Sequence, residues 1–263
     1  MRSILAVAIL SALSIPVSAQ TQDLCRETQS WGRDDDVRHC EVREYSLANA
    51  RSIVIDGGQN GGIRVEAWNQ SGIRIRAVVT ARAMSQERAQ ELASEVEVSA
   101  NSPSMHAAGP RNLRRESWAV TWYVSAPAGT DIDLEVLNGG IRISGMTGTT
   151  RFRATNGGVR LIDMAGDVSG STTNGGLEIE LSGRSWTGAG MDVRATNGGV
   201  ELTVPEGYSG EFETGTVNGR LNLDFPITVQ GRFGGRDLQF TLGDGGARIR
   251  ARTTNGGVRI RRG

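Results

Sequence analysis

The chain has 263 residues, 29 basic and 29 acidic side chains, two His and two Cys, and all of its basic residues are Arg. A net charge of zero gives no support for nucleic acid as a main partner, and a chain without Lys has no Gly-rich phosphate loop with its lysine. Two His, His39 and His106, leave little material for a His-based triad, and no cofactor motif is present.

Residues 1–19 read as a secretory signal peptide. Arg2 supplies the positive start, residues 4–13 a short apolar run, and Val17-Ser18-Ala19 the small-residue cleavage pattern. The run is too short to span a bilayer comfortably, and nothing later is long and apolar enough to do so. Residues 20–50 read as an N-terminal extension. Its Cys25 and Cys40, 15 residues apart in an exported chain, predict one disulfide. Trp31, Asp34, Asp35, Asp36 and His39 sit inside that loop. They could hold a metal, but a solvated acidic turn is preferred because no calcium-loop spacing is present.

Alternation of apolar and polar residues predicts strands over 52–56, 63–67 and 73–82. Over 85–94 the pattern changes to helical spacing, with Ser85 as N-cap. That single helix is expected to cover an end or flank of the sheet structure. Residues 96–100 and 105–108 are a candidate strand pair, and 117–124 alternate clearly. Trp118 and Trp122 share a face there with Val120 and Val124, which favours a core role over a sugar-stacking platform.

From residue 131 one phrase recurs: Asn-Gly-Gly, aliphatic, charged or polar, aliphatic. It begins at Asn138, Asn156, Asn174, Asn197 and Asn255, with a looser copy at Asn218 and an early outlier at Asn60. The first two intervals are 18 residues, and the next two are 23 and 21. A period of this length marks stacked units, each too small to bury its own apolar face. The expected architecture is an all-β, single-chain β-solenoid over 51–263, with stacked short strands, Asn-Gly-Gly corners and one short helix in the N-terminal half.

Tight corners are expected because Gly, and Asn more than most residues, accept positive φ. Identical Asn side chains one rung apart are expected to form an amide ladder, since Gly alone would satisfy a φ requirement. The aliphatic residues after each corner should form inward files. Rungs about 4.8 Å apart would give a rod on the order of 30 Å long.

The outward file, Arg142, Arg160, Glu178, Glu201 and Asn222, is the candidate binding face, a long flat surface rather than a pocket. Glu178, Glu180 and Glu201 could also be a glycosidase-type carboxylate cluster, but abundant Arg favours a neutralised surface. The stretch 225–242 loosens the repeat, and 243–246 (Gly-Asp-Gly-Gly) suggests a further corner. The Arg-rich end, 259–263, is expected to be a terminal basic edge that discourages end-to-end stacking.

The phrases IVIDGGQNGGIRVEAW, WYVSAPAGTDIDLEVLNGGIRISG, the serial TNGGV corners and LGDGGARIRARTTNGGVRI resemble the bacterial "putative adhesin" family over residues 50–263. That resemblance implies a β-solenoid and an exported, non-enzymatic envelope protein, periplasmic or at the cell surface, and it supplies no catalytic residues; from the residues themselves no cofactor or metal site is expected. Its partner would be an envelope protein or a glycan. The rival readings are a polysaccharide-active hydrolase or lyase and a self-assembling envelope scaffold.

Overall fold

The computed structural model describes residues 23–27, 36–48, 50–224 and 236–263. The predicted leader, Trp31, Asp34, Asp35 and the first part of the loosened stretch lie outside the described residues. Among the described residues two helices stand where one was expected: a five-residue helical segment, α1 (23–27), too short for an amphipathic period to reveal it, precedes β1 (Val37–Leu47), β2 (Ser52–Asp56), β3 (Ile63–Trp68) and β4 (Ile73–Ala83). Helix α2 (Gln86–Ser94), β5 (Glu97–Ser99) and β6 (Ser104–Ala108) lead into β7 (Ser117–Pro127). The repeats supply β8 (Asp131–Asn138), β9 (Ile141–Ser144), β10 (Thr149–Asn156), β11 (Val159–Ile162), β12 (Asp167–Asn174) and β13 (Leu177–Glu180). They continue as β14 (Gly190–Asn197), β15 (Val200–Val204), β16 (Gly210–Asn218) and β17 (Leu221–Leu223). Finally come β18 (Asp237–Leu242), β19 (Arg248–Asn255) and β20 (Val258–Arg262).

These strands form two ten-stranded sheets, both mixed and both open. Sheet A runs β1-β4-β7-β3-β9-β11-β13-β15-β20-β17, and sheet B runs β18-β16-β19-β14-β12-β10-β8-β2-β6-β5. From β8 to β17 the chain alternates between them, one strand in B and one in A on either side of each Asn-Gly corner. Ile141, Val159, Leu177 and Val200 stand in register on neighbouring parallel strands, and all are buried. They belong to one apolar cluster fed by both sheets. Alternate residues of β8 are exposed, as the period of two requires when one face meets the core.

The rungs do not stack in sequence order. β19 lies between β14 and β16, and β20 lies between β15 and β17. The C-terminal strand is therefore interior, and the expected basic edge does not exist. Arg261 pairs with Glu201, and Arg262 with Glu206 at 3.5 Å. The physical reason lies in the copies themselves. The Asn255 copy keeps the full phrase and fits between two neighbours. The Asn218 copy has Arg220 in place of the second Gly and sits at the end, where atypical repeats belong. Antiparallel β18 closes sheet B there, with Phe240 stacked on Phe212 at 5.0 Å between centroids.

The other end is built differently. β1, β4 and β7 pair antiparallel. β4 is buried along 77–83 on both faces. One face meets α2, whose N-cap is Ser85, accepting from the Arg88 N–H at 3.2 Å. Arg43 of β1 donates to the Ala93 and Val96 carbonyls near the C-terminus of α2, where free carbonyls need donors. On the opposite face Val78 and Tyr123 pack against Leu24 of α1. The Cys25–Cys40 disulfide, with a Cα separation of 6.0 Å, ties α1 to β1. Trp122 is fully buried, and Trp118 is half-buried with its indole N–H on the Pro110 carbonyl at 2.7 Å, so the pair forms no exposed platform. His39 lies on β1, 3.7 Å from Glu41.

Candidate functional site: a trough on the outer face of sheet A

The corners are not the positive-φ turns expected from sequence. Of the Asn-Gly corner residues, only Gly61 has positive φ. Room is the constraint instead. A Cβ on Gly157 would lie 2.0 Å from the Gly139 carbonyl oxygen, and one on Gly175 the same distance from that of Gly157. Gly139, Gly198, Gly219 and Gly256 meet the same obstacle at 1.8–2.2 Å. The first glycine of each phrase lets one rung's backbone settle on the next. The corner Gly157 N–H donates to Asn174 O at 3.0 Å in that contact.

The second glycine is different. A Cβ at Gly158 would stand 3.6 Å from its nearest neighbour, an ordinary contact, and at Gly140 and Gly176 it would stand at 3.3 Å. Arg220 occupies this very place in the terminal copy. At Gly158 and Gly257 stacking leaves room for a Cβ, at Gly140, Gly176 and Gly199 the facing carbonyl would have to give by a few tenths of an ångström, and only at Gly62, 2.9 Å from the Gly140 oxygen, is there none. Gly140, Gly158, Gly176, Gly199 and Gly257 all keep the position bare and exposed.

The Asn side chains form a continuous ladder beside this file. Asn156 donates to Asn138, Asn174 to Asn156, Asn197 to Asn174, Asn255 to Asn197 and Asn218 to Asn255, all at 2.8–2.9 Å. Asn138 reaches Asn60 more weakly, at 3.4 Å, and the Gln59 carbonyl at 2.7 Å. The ladder follows the spatial order of the rungs. Inside the stack Thr172 and Thr253 donate to the Gly157 and Gly198 carbonyls at 2.8 and 2.6 Å.

All five residues of the candidate face line the surface beside the second glycines. The expectation of a flat face needs amendment, because the surface carries open depressions, two of them along the file of second glycines. One, of about 720 Å³, is lined by Gly158, Gly176, Gly199 and Gly257 with Arg160, Glu178, Glu201, Arg259 and Asn222. The other, of about 580 Å³, is lined by Gly62 and Gly140 with Arg64, Arg142, Arg160, Tyr123 and Glu27. Ile141 and Arg160 line both. In register the file reads Arg64, Arg142, Arg160, Glu178, Glu201, Arg259, Asn222. Asn222 is thus separated from Glu201 by Arg259.

The charges are largely matched. Arg160 lies 3.5 Å from Glu178 and also pairs with Glu180, while Glu201 pairs with Arg261. Arg64 pairs with Glu27 and lies 5.1 Å from the centroid of the Tyr123 ring. Tyr123 OH donates to Glu27 at 3.2 Å. Burial raises the Tyr123 pKa; the nearby Arg64 opposes that shift and the Glu27 carboxylate adds to it, so the phenol stays a donor at neutral pH. Among the described residues Arg142 has no ion-pair partner. No group of acidic, His and Cys side chains among them could hold a metal.

Sequence reasoning missed Arg64, Tyr123 and Glu27. The early copy at Asn60 was the available signal for Arg64, since β3 pairs directly with β9. Tyr123 and Glu27 come from segments outside the repeat, and no periodicity points to them.

No family model and no curated protein matches the chain. Among solved structures, it aligns over 86% of its length with the whole of a Clostridium sporogenes protein described as a "putative cell adhesion protein", at 10% identity and a TM-score of 0.46. A Bacteroides fragilis "putative adhesin" aligns with 85% of this chain and 97% of its own, at 11% identity and a TM-score of 0.37. A Parabacteroides distasonis "putative lipid binding protein" aligns with 84% and 96%, at 8% identity and a TM-score of 0.38.

Proposed function

We propose that the chain is an exported, non-enzymatic binding protein of the cell envelope, built as a β-solenoid over 51–263, that holds an extended polymer across the outer face of sheet A. The observation that carries this reading is the file of second glycines. Five neighbouring rungs keep this position a bare, exposed glycine, although packing would accept a Cβ at Gly158 and Gly257 and, with a shift of a few tenths of an ångström, at Gly140, Gly176 and Gly199; the result is a trough beside the charged file of seven strands. At about 4.8 Å per strand the trough is on the order of 29 Å long. A disulfide between residues 25 and 40 suits an oxidising compartment.

The enzyme reading asks for convergent free carboxylates beside aromatic rings. Here Glu178 and Glu180 both face Arg160, and Glu201 faces Arg261. The larger depression has no aromatic residue in its lining.

A direct test exposes the purified protein and a Gly158→Tyr variant to an array of envelope glycans and proteins, with product analysis for hydrolysis. Binding by the parent, lost in the variant and without cleavage, is the expected result. Undiminished binding by the variant, or turnover of a bound glycan, would overturn the reading.

A further inference from the structure

We infer that the β3-β9-β11 end of the trough binds a sugar polymer bearing carboxylates, and that Glu27 occupies the place of one ligand carboxylate. The inference rests on the trough reading and names the chemistry of its ligand. Arg64, Arg142 and Arg160 stand side by side in register, about 4.8 Å apart from strand to strand. Like charges directly opposite one another are destabilising. The same file places Glu178 and Glu201 further along, so acidic residues are not foreign to it. All three line one depression whose only acidic lining residue is Glu27; Arg160 also pairs with Glu178 and Glu180, so Arg142 is the one of the three without an ion-pair partner among the described residues.

Glu27 comes from outside the repeats. Leu24, buried against Val78 and Tyr123, and the Cys25–Cys40 disulfide bring α1 to this spot. The carboxylate then accepts from Arg64 and from Tyr123 OH through the same oxygen, Oε2. A carboxylate therefore already sits against Arg64 and Tyr123 at this end of the trough. Arg142 stands next along the file without an ion-pair partner among the described residues, ready for a carboxylate of bidentate geometry. Asn60, Asn138 and Thr121 on the rim supply polar groups for sugar hydroxyls.

An acidic peptide suits the surface less well. One common way for an extended peptide to dock is to add to a sheet edge. Strands β3, β9 and β11 are paired on both sides and offer none. A polymer with a carboxylate on each residue, lying across the strands, matches a cation file repeated at the rung spacing.

The experiment is calorimetric titration, at low salt, of the disulfide-intact protein with polygalacturonate and with its methyl ester. Binding to the acid and not to the ester is expected. Arg142→Ala should weaken it about tenfold, the scale of one lost hydrogen-bonded charge contact. Glu27→Gln removes the competing charge from an exposed pair and should strengthen binding about twofold to fivefold. Equal affinity for acid and ester, or indifference to Arg142→Ala in a protein whose melting curve is unchanged, would overturn the assignment. If the protein instead bound only uncharged glycans, with loss in Gly158→Tyr, the carboxylate inference would fail while the trough reading stood. No affinity for any array component would remove both.

Discussion

The antiparallel end and the repeated stack solve the problem of stability by different means. At the antiparallel end β4 is buried on both faces, α1 and α2 cover opposite sides, and a disulfide ties the outer cover down. In the stack most strands bury alternate residues, as β8, β10 and β15 do, and polar files do the rest: Asn to Asn outside, Thr to backbone carbonyl inside. The difference teaches where function can sit. A strand covered on both sides has no face to offer, whereas a rung held by its inward residues and its corner leaves the outward positions open to variation.

Substitutions should separate the two regimes. The largest effect is expected at the antiparallel end, where Trp122→Ala empties a fully buried site and should cost about 4 kcal/mol in urea unfolding. Cys25→Ser should cost about 3 kcal/mol on the chain-entropy account, with protease sensitivity appearing first at α1 rather than in the rungs. Asn174→Ala breaks two ladder bonds at an exposed corner and should lower stability by about 1 kcal/mol. A loss as large as that at Trp122 would mean the ladder, not the core, holds the rungs. Smallest of all, Arg142→Ala should change stability by no more than about 0.5 kcal/mol, because its side chain faces solvent. A large loss there would make the outward file structural and erase the contrast.

Much of the stack was legible in the sequence, because a period of two between glycine corners leaves few alternatives. Strand β2 and the Ser85 cap fall where alternation and capping chemistry put them. The rung order was not legible. Alternation says that two copies can stack, and the same phrase at Asn197 accepts Asn218 or Asn255 equally well. Only the missing glycine at Arg220 hinted that the earlier copy belongs at the end. Strand β1 was hidden for another reason. In Val37–Leu47 charged and apolar residues share both faces, and most of them are half-buried. The corner glycines were read correctly as glycines but for the wrong cause, since a positive φ and a lack of room leave the same letter in the sequence. The candidate face was placed by its register, while Glu27 and Tyr123 reach it only through the disulfide-held segment and a non-repeating strand.

The account turns on the two glycines of each corner having separate roles, one in stacking and one in keeping the trough open. Equilibrium urea unfolding of Gly157→Ala beside Gly158→Ala tests this most directly. The 2.0 Å and 3.6 Å clearances predict a loss on the order of 3 kcal/mol or more for the first and no more than about 0.5 kcal/mol for the second. Equal losses, or a larger loss at Gly158, would contradict it.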